Sequence, residues 1–236
     1  MRVAVFFTPP PEHPLTREAA HWLGRDAFSG DEFPSQDTKE MAAAEIASLT
    51  AEPRRYGFHA TLKPPFRLAE GCRLADADET LHAVVDSSAP VGLGRLAVNE
   101  LGPFFALTPV GQNREVDGLA AEIVRRFDRL RAPLTADEIA RRRPERLSAR
   151  QRDNLRNWGY PFVFDDFRFH MTLTGPVPKA RRAAMRRILE SRFTPLLDLP
   201  IVVDALALFV EPAPTGDFIV RRRAAMRRSR EPMTTT

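Results

Sequence analysis

The chain has one cysteine, Cys72, in 236 residues. A single thiol excludes an internal disulfide and any metal centre built on a cysteine cluster, and a reducing cytoplasm is the expected home. No apolar run approaches the roughly 20 residues of a membrane helix. The opening Met1-Arg2-Val3-Ala4-Val5-Phe6-Phe7-Thr8 meets Pro9 too soon for a secretory segment and reads as a first strand. No membrane partner is expected. No glycine-rich phosphate loop is present, since Gly92-Leu93-Gly94 is too sparse, and no nucleophile elbow surrounds a serine. Charge of one sign is also in short supply: 35 Lys and Arg face 31 Asp and Glu, for a net +4. The excess sits in clusters such as Arg141-Arg142-Arg143, Arg181-Arg182 and Arg221-Arg222-Arg223. These read first as a solvated face and second as a modest field that attracts anions. Aromatics do not interleave with them as they do where single-stranded bases stack. A hydrophobic share of 43% and a charged share of 28% are ordinary for a globular protein with a real core.

Against these absences one feature is doubled. Residues 58–62 read Phe58-His59-Ala60-Thr61-Leu62, and residues 169–173 read Phe169-His170-Met171-Thr172-Leu173. Two of the five histidines thus share one Phe-His-x-Thr-Leu frame, once in each half of the chain. Both segments alternate and are rich in β-branched and aromatic residues, which predicts strands. Phe58, Ala60 and Leu62 then face one way, and His59, Thr61 and Lys63 the other. In the second copy Phe169, Met171 and Leu173 share the apolar face, and Asp166, Arg168, His170 and Thr172 the polar one. A strand His is more often structural than catalytic; the repeated frame reverses that expectation.

The chemistry suits a phosphate. An imidazole titrates near neutrality and serves as general acid or base, and a threonine hydroxyl donates to a phosphate oxygen. Two histidines on opposite sides of phosphorus permit in-line displacement without a metal or other cofactor. Lys63 and Arg168 share the polar faces and are candidate anion ligands. Tyr56 and Tyr160, the only tyrosines, each precede a motif strand and are candidates for stacking or hydrogen bonding to substrate. His13, His21 and His82 are read as surface residues. The rival metal reading needs a third ligand beside the two histidines, and Asp166 is its candidate.

The pair His59-x-Thr61-Leu62 and His170-x-Thr172-Leu173 resembles the two H-x-T/S motifs of the 2H phosphoesterase superfamily, which includes the LigT-like RNA 2′,3′-cyclic phosphodiesterases. The longer strings from Arg55 to Phe66 and from Gly159 to Thr174 resemble a bacterial branch associated with phosphonate-utilisation genes. The resemblance implies a two-lobed fold, metal-free phosphodiester chemistry, catalysis by His59 and His170, and phosphate contacts from Thr61 and Thr172. It implies as partner a small anionic phosphorylated substrate ahead of an RNA cyclic-phosphate end, and leaves substrate and oligomeric state open. The alternative is a non-catalytic module that binds nucleotide, RNA or phosphate on the same fold.

The pattern predicts strands over 2–8, 54–66, 91–100, 103–110, 162–174, 200–210 and 216–223. It predicts helices over 15–27, 38–49, 77–88, 114–131 and 178–193, with a capping box at Thr135 and Glu138. Motif strand, break, helix and hairpin recur in the same order after each copy. The expected class is therefore α+β, a two-lobed pseudo-two-fold duplication in one domain over 1–223. Each lobe is an antiparallel sheet with outer helices, around motif segments 57–66 and 165–174, with the cleft between them. The Arg-rich helical insert 132–160 is expected to cover that cleft, and 224–236 to form a polar, disordered tail.

Overall fold

In the computed structural model, which describes residues 1–198 and 201–226, the first strand β1 (Arg2–Phe7) is buried on both faces from Val3 onward. Such burial marks a central strand. Two helices follow, α1 (Pro14–Leu23) and α2 (Ala43–Tyr56), then the motif strand β2 (Ala60–Phe66). Next come α3 (Leu74–Ser87), the short β3 (Val91–Gly92), the hairpin β4 (Leu96–Leu101) and β5 (Phe104–Pro109), and α4 (Arg114–Asp128). The insert holds α5 (Ala136–Arg141) and α6 (Ala149–Trp158). The second half adds β6 (Met171–Thr172), α7 (Arg182–Phe193), β7 (Val202–Val203), β8 (Ala205–Glu211) and β9 (Ile219–Ala225).

The class is α+β with an antiparallel sheet, as expected. The expectation of one sheet per lobe is corrected. Among the described residues a single seven-stranded sheet runs β4-β5-β6-β2-β1-β8-β9, beside a two-stranded β3-β7 ladder. The reason lies at the seam: β2 and β6, the motif strands, pair with each other through Ala60 and Met171. That pairing covers what would be two open edges. The hairpin that follows each motif joins the opposite half. β5 pairs with β6, and β8 pairs with β1, next to β2. The helices do not cross: α3, after the first motif, packs on β8 and β9, and α7, after the second, packs on β4.

The larger core fills one sheet face, where Val3, Val5 and Phe7 meet Leu15, Trp22, Leu81, Phe127 and Leu189. On the other face Ala4, Phe6, Phe209 and Phe218 form a small cluster that floors the cleft. Three boundaries differ from the pattern. α2 continues through Pro53 to Tyr56, so the segment 54–59 is not strand. The second motif strand shrinks to two residues, because Phe164–Asp166 turns as a 3-10 helix with Phe164 at φ 55. Ala224 and Ala225 extend β9 and Met226 is buried in the core, so the expected tail does not begin at 224; its remainder, 227–236, lies outside the described residues. No described helix is long and apolar enough to cross a membrane.

Candidate functional site

Gly57 ends α2 at φ 73 and ψ −179. That backbone region is essentially reserved for glycine, and a Cβ there would stand 2.5 Å from Cβ of Ala27. The turn aims the Gly57 carbonyl at the ring two residues on, and His59 Nδ1–H donates to it at 2.9 Å. A carbonyl can only accept, so this contact fixes the proton on Nδ1 and leaves Nε2 as acceptor. Nε2 takes a hydrogen bond from the Thr61 hydroxyl at 3.1 Å. The ring lies flat on Phe6, centroids 3.9 Å apart at 24°. The second copy repeats the first contact: His170 Nδ1–H donates to the carbonyl of Arg168 at 2.8 Å. Its Nε2 has no protein partner among the described residues.

Burial dominates the titration of both rings. It pushes His59 down to about 4, against a smaller upward pull from the Gly57 carbonyl and with a further lowering by His170. Burial also lowers His170. Both imidazoles are therefore neutral near pH 7 in the free protein.

Two adjoining cavities open around these groups. One, of about 290 Å³, is lined by Tyr56, His59, Thr61, Arg142, Tyr160 and Thr172, among others. The second, of about 440 Å³, holds His170, Arg168, Phe104, Phe162 and Arg150. Thr61, Pro64, Phe104 and Tyr160 line both. The tertiary structure thus brings His59, His170, Thr61, Thr172, Tyr56, Tyr160 and Arg168 to one cleft at the β2–β6 seam. Tyr56 stacks on Phe218 at 5.0 Å and stands 5.9 Å from the His59 ring. Burial raises the Tyr160 phenol, so it stays a hydrogen-bond donor.

Lys63 is not among them. The register between β1 and β2 slips after Thr61: Phe6 opposes Thr61, but Val5 opposes Lys63. That bulge turns Leu62 and Lys63 both toward the helical face, as bulges re-aim side chains. Lys63 is 1% exposed and bonded to Asp128 at 3.0 Å, so the expectation that it meets substrate is corrected. Asp166, the candidate third ligand of the rival metal reading, is already engaged. Its carboxylate takes both Arg150, at 2.7 and 3.2 Å, and Gln151, at 3.1 Å. Among the described residues no group of three His, Cys, Asp or Glu side chains is gathered for a metal. His13 is more than a surface residue, since it caps α1 by accepting from the Leu15 amide.

Two contributors escaped the sequence reading. Pro53 cannot donate to the Leu49 carbonyl four residues back, and the amide of Gly175 takes that carbonyl at 2.6 Å. A proline before the first motif thereby ties α2 to the loop after the second. The expected helix ended at 49, so nothing in the sequence pattern singled out Pro53. Arg142, from the insert, lines the first cavity with its guanidinium 4.9 Å over the Tyr160 ring. In a run of three arginines nothing singled it out. The insert does border the cleft: α5 is anchored by Glu138, which binds Arg67 at the end of β2 through two contacts of 3.0 and 3.1 Å. Those contacts hold the Glu138 carboxyl at about 2.

Residues 61–219 match the family model described as "Protein of unknown function (DUF1045)", and the chain belongs to that family. Two curated relatives carry the name ribose 1,5-bisphosphate phosphokinase PhnN. The one from Janthinobacterium sp. (strain Marseille) is 37% identical over 226 residues, 94% of this chain and 50% of the relative. The one from Laribacter hongkongensis (strain HLHK9) is 38% identical over 214 residues, 90% of this chain and 48% of the relative. The chain spans about half the length of these relatives. Among solved structures, TT0787 of Thermus thermophilus aligns at TM-score 0.47 and 15% identity, over 98% of this chain and all of that one. E. coli LigT complexed with 3′-AMP aligns at 0.42 and 13%, over 95% and 97%. Likeness at that level carries no argument about activity.

Proposed function

We propose that the protein is a metal-independent phosphodiesterase that opens a cyclic or small phosphodiester, with His59 and His170 as its acid–base pair. The observation that carries this reading is the doubled device at the seam. Two imidazoles, each locked by an Nδ1–H to carbonyl bond two residues back, line one cleft with two threonine hydroxyls. Lone histidines do not recur with the same tether.

In this reading water attacks phosphorus in line. His59, the strongly depressed imidazole, takes the proton of the incoming water at Nε2. His170, whose Nε2 is unengaged, protonates the leaving oxygen as the P–O ester bond breaks. A free enzyme with both rings neutral needs one proton gained on binding, and the bound phosphate anion favours the imidazolium and raises that pKa. The Thr61 hydroxyl turns from His59 Nε2 to a non-bridging oxygen, which frees Nε2 for the water proton; Thr172 holds another, and Tyr56, Tyr160 and Arg168 border the substrate. Phosphonate breakdown is the setting we assign, from the motif strings shared with that branch. The kinase activity in the relatives' name is not carried over. None of Lys39, Lys63 and Lys179 follows a glycine, so the chain has no Gly-Lys phosphate loop, and half of each relative lies outside the match.

The test is phosphorus NMR of EDTA-treated protein against nucleoside 2′,3′-cyclic phosphates, ribose cyclic phosphates and small phosphonate esters. Turnover by wild type, lost in His59→Ala and His170→Ala, is the expected result. Ligand-induced shifts without turnover of any ester would instead indicate a binding module.

A further inference from the structure

Three guanidinium groups line the two cavities. Arg150 is held by Asp166; Arg142 and Arg168 form no ion pair among the described residues, and Arg168 stands in the cavity of His170. Arg142 is the one on the His59 side. It stands in the wall of the cavity that contains His59, Thr61 and Thr172, and among the described residues it pairs with no carboxylate. The carboxylate of Glu52 lines the same cavity yet lies beyond ion-pair distance of Arg142, so the two are separate features of the wall. Arg142 is also placed in advance of any ligand. It closes α5, with its amide donating to the carbonyls of Ala140 and Ile139. α5 is pinned to the end of β2 by Arg67 and Glu138, and the guanidinium rests on the face of Tyr160. A guanidinium stacked on an aromatic keeps its N–H fork free for a planar or tetrahedral oxyanion.

The scissile phosphate already has two imidazoles and two threonines. A cation held apart from them, on a separate element, fits a second anionic group on the same molecule. Glu52 is an acceptor with no partner among the described residues, suited to hydroxyl donors and unfavourable to a second phosphate on its side. The two adjoining cavities, about 290 and 440 Å³, are of the order of the roughly 300–1,000 Å³ of small-molecule sites. We infer that Arg142 is a specificity residue that binds a second phosphate, remote from the reacting one, so that the preferred substrate is a cyclic phosphodiester of a phosphorylated sugar. The inference rests on the phosphodiesterase reading above and adds the class of substrate to it.

The experiment compares a ribose 2,3-cyclic phosphate with and without a further phosphate on C5, using wild type, Arg142→Ala, Arg142→Lys and Arg141→Ala. Wild type favours the doubly phosphorylated ester by about 10- to 100-fold in kcat/KM, as a charge-assisted phosphate contact implies. Arg142→Ala abolishes that preference, chiefly through KM, and lowers kcat/KM of the doubly phosphorylated ester far more than that of the singly phosphorylated one. Arg142→Lys restores part of it, and Arg141→Ala retains all of it. Equal turnover of the two esters by wild type, or a preference that survives in Arg142→Ala, overturns the inference. If neither ester is turned over, the phosphodiesterase reading fails on its own, and calorimetry decides the rest. Tighter binding of ribose 1,5-bisphosphate than of ribose 5-phosphate, lost in Arg142→Ala, upholds the Arg142 site. Equal affinities, or none for either probe, overturn it.

Discussion

The first Phe-His-x-Thr-Leu copy lies in a strand of seven residues, paired on one side along β1 and on the other with β6. Its histidine is clamped at both nitrogens and stacked on Phe6. The second copy keeps the same letters in a two-residue strand. Its histidine is tethered at one nitrogen only and faces Phe104 at a looser 5.9 Å. Identical frames therefore yield one rigid imidazole and one free at its outer nitrogen. The difference comes from neighbours: a glycine turn and β1 on one side, a strained 3-10 turn at Phe164 on the other. In the proposed acid–base pair such inequality separates the roles by position: one nitrogen is held in advance, and the other is open to the leaving oxygen.

Breaking the pair should have the largest effect. His59→Gln and His170→Gln are each expected to lose about 10²- to 10⁴-fold in kcat, the usual contribution of a positioned acid or base. If the roles are as assigned, the two variants remove opposite limbs of the pH–rate profile; loss of the same limb from both would refute the assignment.

Removing the turn that belongs to the first copy alone comes next. Gly57→Ala places a β-carbon against Ala27 and forces a positive φ. A loss of about 1–3 kcal/mol is expected in urea unfolding. The same position in the second copy is Arg168, an ordinary L residue, and Arg168→Ala should leave unfolding within about 0.5 kcal/mol of wild type.

The titration of His59 gives a stability difference of similar size. An unfolded histidine titrates near 6.5, while the folded one is held at about 4. Between those values the unfolded chain binds a proton that the folded chain refuses, so stability is complete above pH 6.5 and falls as pH drops toward 4. The loss is at most about 3 kcal/mol, and less to the extent that the ring opens to the cleft. Denaturant unfolding across that window, with His59→Gln flattening the curve, checks it.

Thr61→Val removes the hydroxyl that binds Nε2 of His59, whereas Thr172 makes no such bond among the described residues. Thr61→Val should lower kcat by about tenfold and shift the lower pH limb, while Thr172→Val should change kcat without that shift. The smallest catalytic effect is expected at Lys63. Lys63→Met should leave kcat/KM within about threefold while costing about 1–3 kcal/mol of stability, since it disturbs the buried contact to Asp128.

Most elements were legible because their signals are local. Thr135 and Glu138 form the expected capping box, Gly102 makes the β4–β5 hairpin at φ 65, and the helix expected over 114–131 forms as α4 with Val116, Leu119, Ile123 and Phe127 buried. Lys63 was misread because alternation assumes an unbroken strand, and a bulge depends on the partner strand. The lobes were misassigned because pairing partners are chosen by distant segments; local order says that a hairpin forms, and packing decides which edge receives it.

By itself the sequence determined a doubled His and Thr frame, the α+β class, the cap and hairpin positions, and the want of an internal disulfide or a glycine-rich phosphate loop. These follow from side-chain period and turn residues within a few positions. Only the tertiary structure decided that the two motif strands pair in one sheet, that Lys63 turns inward, that Arg142 reaches the cleft, and that one imidazole is held more tightly than the other. Each of those depends on contacts between residues far apart in the chain, where burial and hydrogen bonding outweigh local preference.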